Sequence, residues 1–235
     1  MTPGVMITCF PGGNFLGMAA NKYKAFGPEI AGPAESKTGP GFQPPKVQLR
    51  ALNNPVGFGY LMAFDPYLWR DRIQAAYLVA IGTNDEFYGL EASNEMLEQF
   101  SGDKAFLAVD NLPHTWISKK HLAAWRMWLR HTFQGAKVPQ VTTKLEKAGA
   151  FINVTADVTI DPAPKHVRLY YAYNHSHDWR SSKWDHKEME LVSNQYQSRL
   201  EALADCNLGC YAEVEYEDMG EPAFVSSLVA VLPYA

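Results

Sequence analysis

Two apolar runs, each followed by a turn and then a helix-period stretch, dominate the first half of the chain. Residues 75–81, "AAYLVAI", are apolar without interruption, the pattern of a strand covered on both faces in a parallel sheet. Residues 90–100, "LEASNEMLEQF", put Leu90, Met96, Leu97 and Phe100 on one helical face, which "SGD" ends. "KAFLAV" at 104–109 predicts the next strand. "KKHLAAWRMWLRHTF" at 119–133 predicts the next helix, with Leu122, Trp125, Trp128, Leu129 and Phe133 at core spacing and Gly135 as its stop. An earlier run, "VMITC" at 5–9, reads as a buried strand ending in the turn "FPGGN". Strand and helix alternating over short connections is the signature of an α/β layer.

Between the first strand and the second, prolines and glycines crowd the chain ("GPAESKTGPGFQPP") and periodicity is lost. Segment 27–60 is therefore expected to be an irregular excursion, of the kind that forms a lid over a site. In "FDPYLWRDRI", Asp65 suits an N-cap and Pro66 a first helical position.

After "GAKVPQ" the texture changes. "AFINVTADVTI" (150–160), "HVRLYYAYN" (166–174), "CYAEVEYED" (210–218) and "AFVSSLVAVL" (223–232) alternate apolar and polar residues, with turn signals such as "DPAPK" and "DMGEP" among them. The intervening "WDHKEMELVSNQYQSRLEALADC" reads as partly helical or as a polar crossover. The pattern predicts a small β-sandwich with an Ig- or fibronectin-like look. The expected division is residues 1–136, part of an α/β domain, and residues 137–235, the sandwich.

Composition excludes several classes. The formal net charge of −4 comes with no Lys/Arg block, so nothing points to nucleic acid. No apolar run approaches the roughly 18 residues a membrane span needs, and "MTPGVMITCF" lacks the basic start of a secretion signal. Cys206 and Cys210 in "CNLGC" close a small disulfide loop or stay as two thiols; geometry decides. The pair lacks the partners of a four-ligand zinc site. His175 and His177 in "NHSHD", with His186 nearby, are candidate metal ligands, though no carboxylate cluster has ligand spacing; no metal or cofactor is expected. Asn153 and Asn174 fit the glycosylation sequon. Trp125 and Trp128 are read as core rather than as a binding platform.

The chemistry-bearing pair is Asp85, in the turn after "LVAIGTNDEF", and His114, in the Pro turn of "FLAVDNLPHTW". In doubly wound sheets, chemistry gathers beyond the carboxyl ends of the strands. An acid and then a histidine on consecutive strand ends follow the chain order of the α/β-hydrolase relay. There the carboxylate accepts the imidazole's second N–H and stabilises the imidazolium formed during proton transfer.

The stretch "DPYLWRDRIQAAYLVAIGTNDEFY" resembles the PhoPQ-activated pathogenicity-related protein family, a branch of the α/β-hydrolases. "NKYKAFG" looks like the family's tyrosine-bearing segment before its lid, and "DNLPHTW" sits where the family has its Pro-Asn-x-x-His turn. "VRLYYAYNHSHDWR" is similar to its sandwich strand ending in Arg-Asp-Phe-Arg, and "YAEVEYED…SSLVAVLP" to its last two strands. The resemblance implies the C-terminal half of such a protein: the last strands and helices of an α/β-hydrolase sheet, then the sandwich. It implies Asp85 as the acid and His114 as the base, and an extracellular or periplasmic setting.

It carries over no nucleophile. The family's elbow serine aligns upstream of Met1, so a fragment, or a chain lacking the nucleophile, is expected. Two rivals lie within the chain. Cys9 in "TCFPGGN" stands one or two positions early for an elbow, and Ser36 in "ESKTG" is followed by prolines that oppose the helix an elbow needs. The resemblance thus implies hydrolysis of an ester or peptide bond in a complete member, with a substrate that is a small molecule or peptide. A non-catalytic secreted binding protein is the alternative, because the family resemblance extends to an autocrine proliferation repressor. An exposed inner edge of "VMITC" suggests self-association.

Overall fold

A computed structural model describes residues 4–8, 13–29, 43–115, 117–159 and 161–233. The protein is a mixed α/β structure with two sheets. Strands β1 (Val5–Thr8), β2 (Ala76–Gly82) and β3 (Lys104–Val109) pair in parallel, in that order. Side chains alternate across β2, and both faces are buried for a reason visible in the partners. Tyr77, Val79 and Ile81 meet Leu90, Met96, Leu97 and Phe100 of α4 (Leu90–Glu98) and the residues just after it. Leu78 and Ala80 join Ala124, Met127 and Trp128 of α5 (Lys119–Gln134) on the other side. The uninterrupted apolar run is thus the imprint of a strand with a helix on each face.

The parallel strands do not end the sheet. Past β3 it continues through β11 (Glu221–Ser226), β10 (Asn207–Asp218), β6 (Pro164–Asn174) and β7 (Asp185–Glu188), with β12 (Ala230–Leu232) also on β10. The junction is one antiparallel pairing, Ser226 opposite Phe106, and the Ser226 hydroxyl also accepts from the Ala108 N–H at 2.9 Å. A second, antiparallel sheet holds β4 (Val141–Ala148), β5 (Phe151–Val158), β9 (Gln195–Glu201) and β8 (Glu190–Val192). Ile152, Val154, Ala156 and Leu200 of that sheet share one core with Leu78, Leu107 and Trp128. The strands of residues 137–235 therefore form two layers, and one layer is a direct extension of the α/β sheet across position 136.

Several expectations change. Within 27–60, the expected irregular excursion contains α2 (Pro45–Leu52) and the start of α3 (Pro55–Phe64). Pro45 and Pro55 open these helices at the first position, where a proline's missing N–H costs nothing. The Asn54 side chain caps α3 by accepting from the N–H groups of Val56 and Gly57, both at 3.0 Å. The polar crossover 184–206 is not helical but supplies β7, β8 and β9, and β4 is an extra strand. Of these, β7, β8 and β4 lie at sheet edges with much of their surface in water, so charged residues are tolerated and alternation is blurred.

On α5 the buried face is His121, Ala124, Met127 and Trp128, with Trp125 partly buried beside it. Leu122, Leu129 and Phe133, expected in the core, are exposed. Small residues at 123 and 124 let the helix approach the sheet, which turns the bulkier stripe outward. By contrast, Asp65 caps the expected turn: its side chain accepts from the Tyr67 N–H at 3.0 Å, ahead of a 3-10 helix at Pro66–Arg72. Its carboxylate also accepts from the N–H groups of Asn14 and Phe15, and so pins the start of α1 (Phe15–Phe26).

Candidate functional site

Asp85 and His114 lie in the turns that leave β2 and β3 at their carboxyl ends, and the fold brings them together. Asp85 Oδ2 is 2.8 Å from His114 Nδ1. The other carboxylate oxygen, Oδ1, accepts from the N–H groups of Phe87 and Tyr88 at 2.7 and 2.8 Å, so the acid is fixed at both oxygens. Its side chain is 2% exposed and that of His114 is 18% exposed. An ionised carboxylate only accepts, so Nδ1 carries the proton and the Nε2 edge becomes the basic one. The ring is held edge-on by Phe87, with centroids 4.8 Å apart, and stacked by Tyr88 at 5.7 Å. Its backbone N–H donates to Glu86 Oε2 at 3.0 Å. The hydrogen bond to Asp85 raises the imidazole pKa above its ordinary value; burial opposes this, and the charges of Asp85 and Glu86 add to it.

His114 forms part of the wall of a cavity of about 390 Å³. Most of its lining is apolar: Phe15 and Met18 from α1, Val47 and Leu52 from α2, and Phe87 beside the histidine. Lys22 also reaches this wall from α1. Burial lowers its pKa, while the charge of Asp85 works the other way. Among the described residues, the wall contains no serine, threonine or cysteine. The two candidate nucleophiles, Cys9 and Ser36, lie outside the described residues.

The remaining candidates disperse. His175 Nδ1 is 2.7 Å from the Asp205 carbonyl, His177 Nδ1 is 3.3 Å from Glu91 Oε1, and His186 rests against the Tyr170 ring. Among the described residues, no group of three or more metal-ligating side chains assembles. Cys206 and Cys210 are free thiols rather than a disulfide. Cys210 sits within β10, where four residues of extended chain span about 13 Å, well beyond the roughly 7 Å limit for a bridge. Of the two sequons, Asn153 is exposed on β5, while the Asn174 side-chain amide is engaged with the Asp178 carbonyl and Ser182 Oγ.

Three site residues had escaped the sequence reading. Asn84, buried beside Asp85, donates from Nδ2 to the carbonyls of Trp179, Arg180 and Ser182. Asn111 pairs with both the N–H and the C=O of Trp184. Glu86 holds the backbone of His114. Nothing local marks the two asparagines, because such residues are ordinary in turns and their partners come from far along the chain.

The fold and this geometry define a mixed α/β protein with an acid–histidine pair at adjacent strand ends, facing an apolar cavity. The chain belongs to the PhoPQ-activated pathogenicity-related protein family, whose model matches residues 47–180, a span that includes Asp85 and His114. No curated protein matches it. Three solved structures show a partial likeness at TM-score 0.30. The Br derivative of BhCBM56 is 13% identical, covering 41% of this chain and 95% of its own. A family 56 carbohydrate-binding module, a β-1,3-glucan binding domain, is 9% identical, covering 40% and 98%. A family 64 laminaripentaose-producing β-1,3-glucanase from Paenibacillus barengoltzii, complexed with laminarihexaose, is 8% identical, covering 40% and 20%.

Proposed function

We propose that this chain carries the acid and base of an α/β-hydrolase-type site acting on an ester or peptide bond. The observation that supports this most is the 2.8 Å contact of Asp85 Oδ2 with His114 Nδ1, with the ring at the wall of an apolar cavity. In this reading, His114 Nε2 takes the proton from an attacking hydroxyl as its oxygen bonds to the substrate carbonyl carbon. The carbonyl electron pair moves onto oxygen, and Asp85 stabilises the imidazolium that results. As the tetrahedral species collapses, Nε2 returns the proton to the leaving oxygen or nitrogen. The carboxylate supports this role because its second oxygen is already held by two backbone N–H groups and cannot swing away.

A nucleophile within reach of Nε2 is required, and the test reveals whether there is one. The chain is treated with a fluorophosphonate probe and the modified residue is mapped by mass spectrometry. If the chain holds such a nucleophile, a single residue is labelled, with labelling abolished in His114→Ala and cut at least 100-fold in Asp85→Asn. No labelling of the folded wild-type chain would overturn the reading. The absence of serine, threonine and cysteine from the wall among the described residues favours a second reading, an apolar binding site without catalysis. Saturable binding of an apolar ligand, unchanged by His114→Ala and without labelling, would support that one.

A further inference from the structure

The loop 175–184, between β6 and β7, lies across the turns that carry the acid and the histidine, and its attachment there is specific. Asn84 Nδ2 has two hydrogens and three carbonyl acceptors around it, at 3.0 Å (Trp179), 3.1 Å (Arg180) and 2.7 Å (Ser182). Asn111 closes the other end as a two-sided pair: its Nδ2 donates to the Trp184 carbonyl and its Oδ1 accepts from the Trp184 N–H, both at 2.8 Å. Thr83 joins the two asparagines. Its hydroxyl donates to Asn84 Oδ1 at 2.8 Å and accepts from the Asn111 N–H at 2.9 Å. One polar chain therefore runs from the acid turn to the histidine turn, and both its ends are fastened to the same loop.

The loop itself is rigidly based. Trp179 and Trp184 are buried and pack in the core that holds Tyr77, Ile81 and Tyr211. At Gly209 of β10 a Cβ would stand 2.9 Å from Trp184 and 3.1 Å from Trp179, so the bare backbone is what lets both indoles seat. The Asp178 carboxylate holds the Arg180 guanidinium at 2.8 and 2.6 Å, which places that group 3.8 Å over the Phe26 ring of α1.

We propose that Asn84 and Asn111 are positioning residues, which set the Asp85–His114 contact by fastening loop 175–184 of the second half across both turns. Asn84 is the residue before Asp85, and Asn111 lies on the short turn leading to His114. Each turn is thereby referenced to a third body in addition to its own local hydrogen bonds. A hydrogen bond between two side chains on separate turns depends on tenths of an ångström, which a common anchor secures. The proposal takes its catalytic meaning from the hydrolase reading, but its test does not use activity, so either can fail alone.

The test is an NMR titration of the His114 ring in the wild type, Asn84→Ala and Asn111→Ala, with Tm measured alongside. In the wild type the midpoint is expected above the ordinary imidazole value of about 6.5, because Asp85 accepts from the ring. In the variants it is expected to fall back toward that value in protein that remains folded at the titration temperature. A role confined to stability would lower Tm and leave the midpoint where it was, and that result overturns the proposal. If Asn84→Ala does not fold, Asn111→Ala decides by the same criterion, since its side chain lies at the surface. Failure of fluorophosphonate labelling with a midpoint that moves would end the hydrolase reading and leave this one standing.

Discussion

Gly82, the last residue of β2, faces the backbone of Leu112 so closely that a Cβ would stand 2.1 Å from its carbonyl oxygen and 2.8 Å from its carbonyl carbon. Two strand-end turns can therefore lie against one another, and the Asn84 N–H donates to that same Leu112 oxygen at 3.0 Å. The glycine is needed for space, because backbone and not a flexible side chain fills the position.

Gly82→Ala should push the two turns apart. The expected cost is about 1–3 kcal/mol, in the range of an overpacked core, read as a lowered urea midpoint. The His114 titration midpoint should fall with it. A variant with unchanged stability and an unchanged midpoint would contradict the close approach.

His114 gives a pH dependence of definite sign. Its folded-state pKa is raised, chiefly by the Asp85 hydrogen bond, so folding favours the protonated ring. That contribution is fully present below about 6.5, the unfolded value, and is lost as pH rises through the higher folded value. The Tm gap between wild type and His114→Gln should be wide at pH 5.5 and narrow at pH 9, and Asp85→Asn should flatten it. Under the hydrolase reading the neutral ring is the base, so probe labelling should speed up with pH through the same midpoint.

Outside the cavity lining, Lys120 Nζ meets the fully buried Glu213 carboxylate at 2.6 Å and Asp110 at 3.1 Å, tying α5 to β10 and to the end of β3. Burial works against the ammonium, but the charge and hydrogen bond of Glu213 outweigh it and hold the lysine pKa above its usual value. Lys120→Met should cost about 3–5 kcal/mol in urea unfolding, because it strands a buried carboxylate. The double variant Lys120→Met/Glu213→Leu should recover most of that loss. If the single and double variants are equally unstable, the pair contributes nothing through its charge.

The two thiols should differ sharply in reactivity. Cys210 is buried and its pKa is pushed up to about 12 by burial, while Cys206 is partly exposed, its sulfur 3.6 Å from His175 Nδ1. Peptide mapping after maleimide treatment of the native protein should find Cys206 modified and Cys210 untouched until denaturant is added. A Cys206–Cys210 bridge after mild oxidation of folded protein would contradict the extended run of β10.

Uninterrupted apolar runs and a period of 3.6 residues were enough to read β2, β3 and α4 close to their observed limits, because each element's burial is written into its own side chains. The turn chemistry of Gly82 and Pro113 likewise marked where an acid and a histidine would emerge on neighbouring strands. Where two apolar stripes competed, as on α5, residue order could not say which one met the sheet; the small residues at 123 and 124 settled that only once the neighbours were in place. The same holds for the sheet that runs on from Phe106 to Ser226, and for Asn84 reaching carbonyls 95 to 98 residues away. Contacts like these follow no local period. They arise when distant segments close on one another, so the tertiary structure alone decided that the second half of the chain would brace the pair carried by the first.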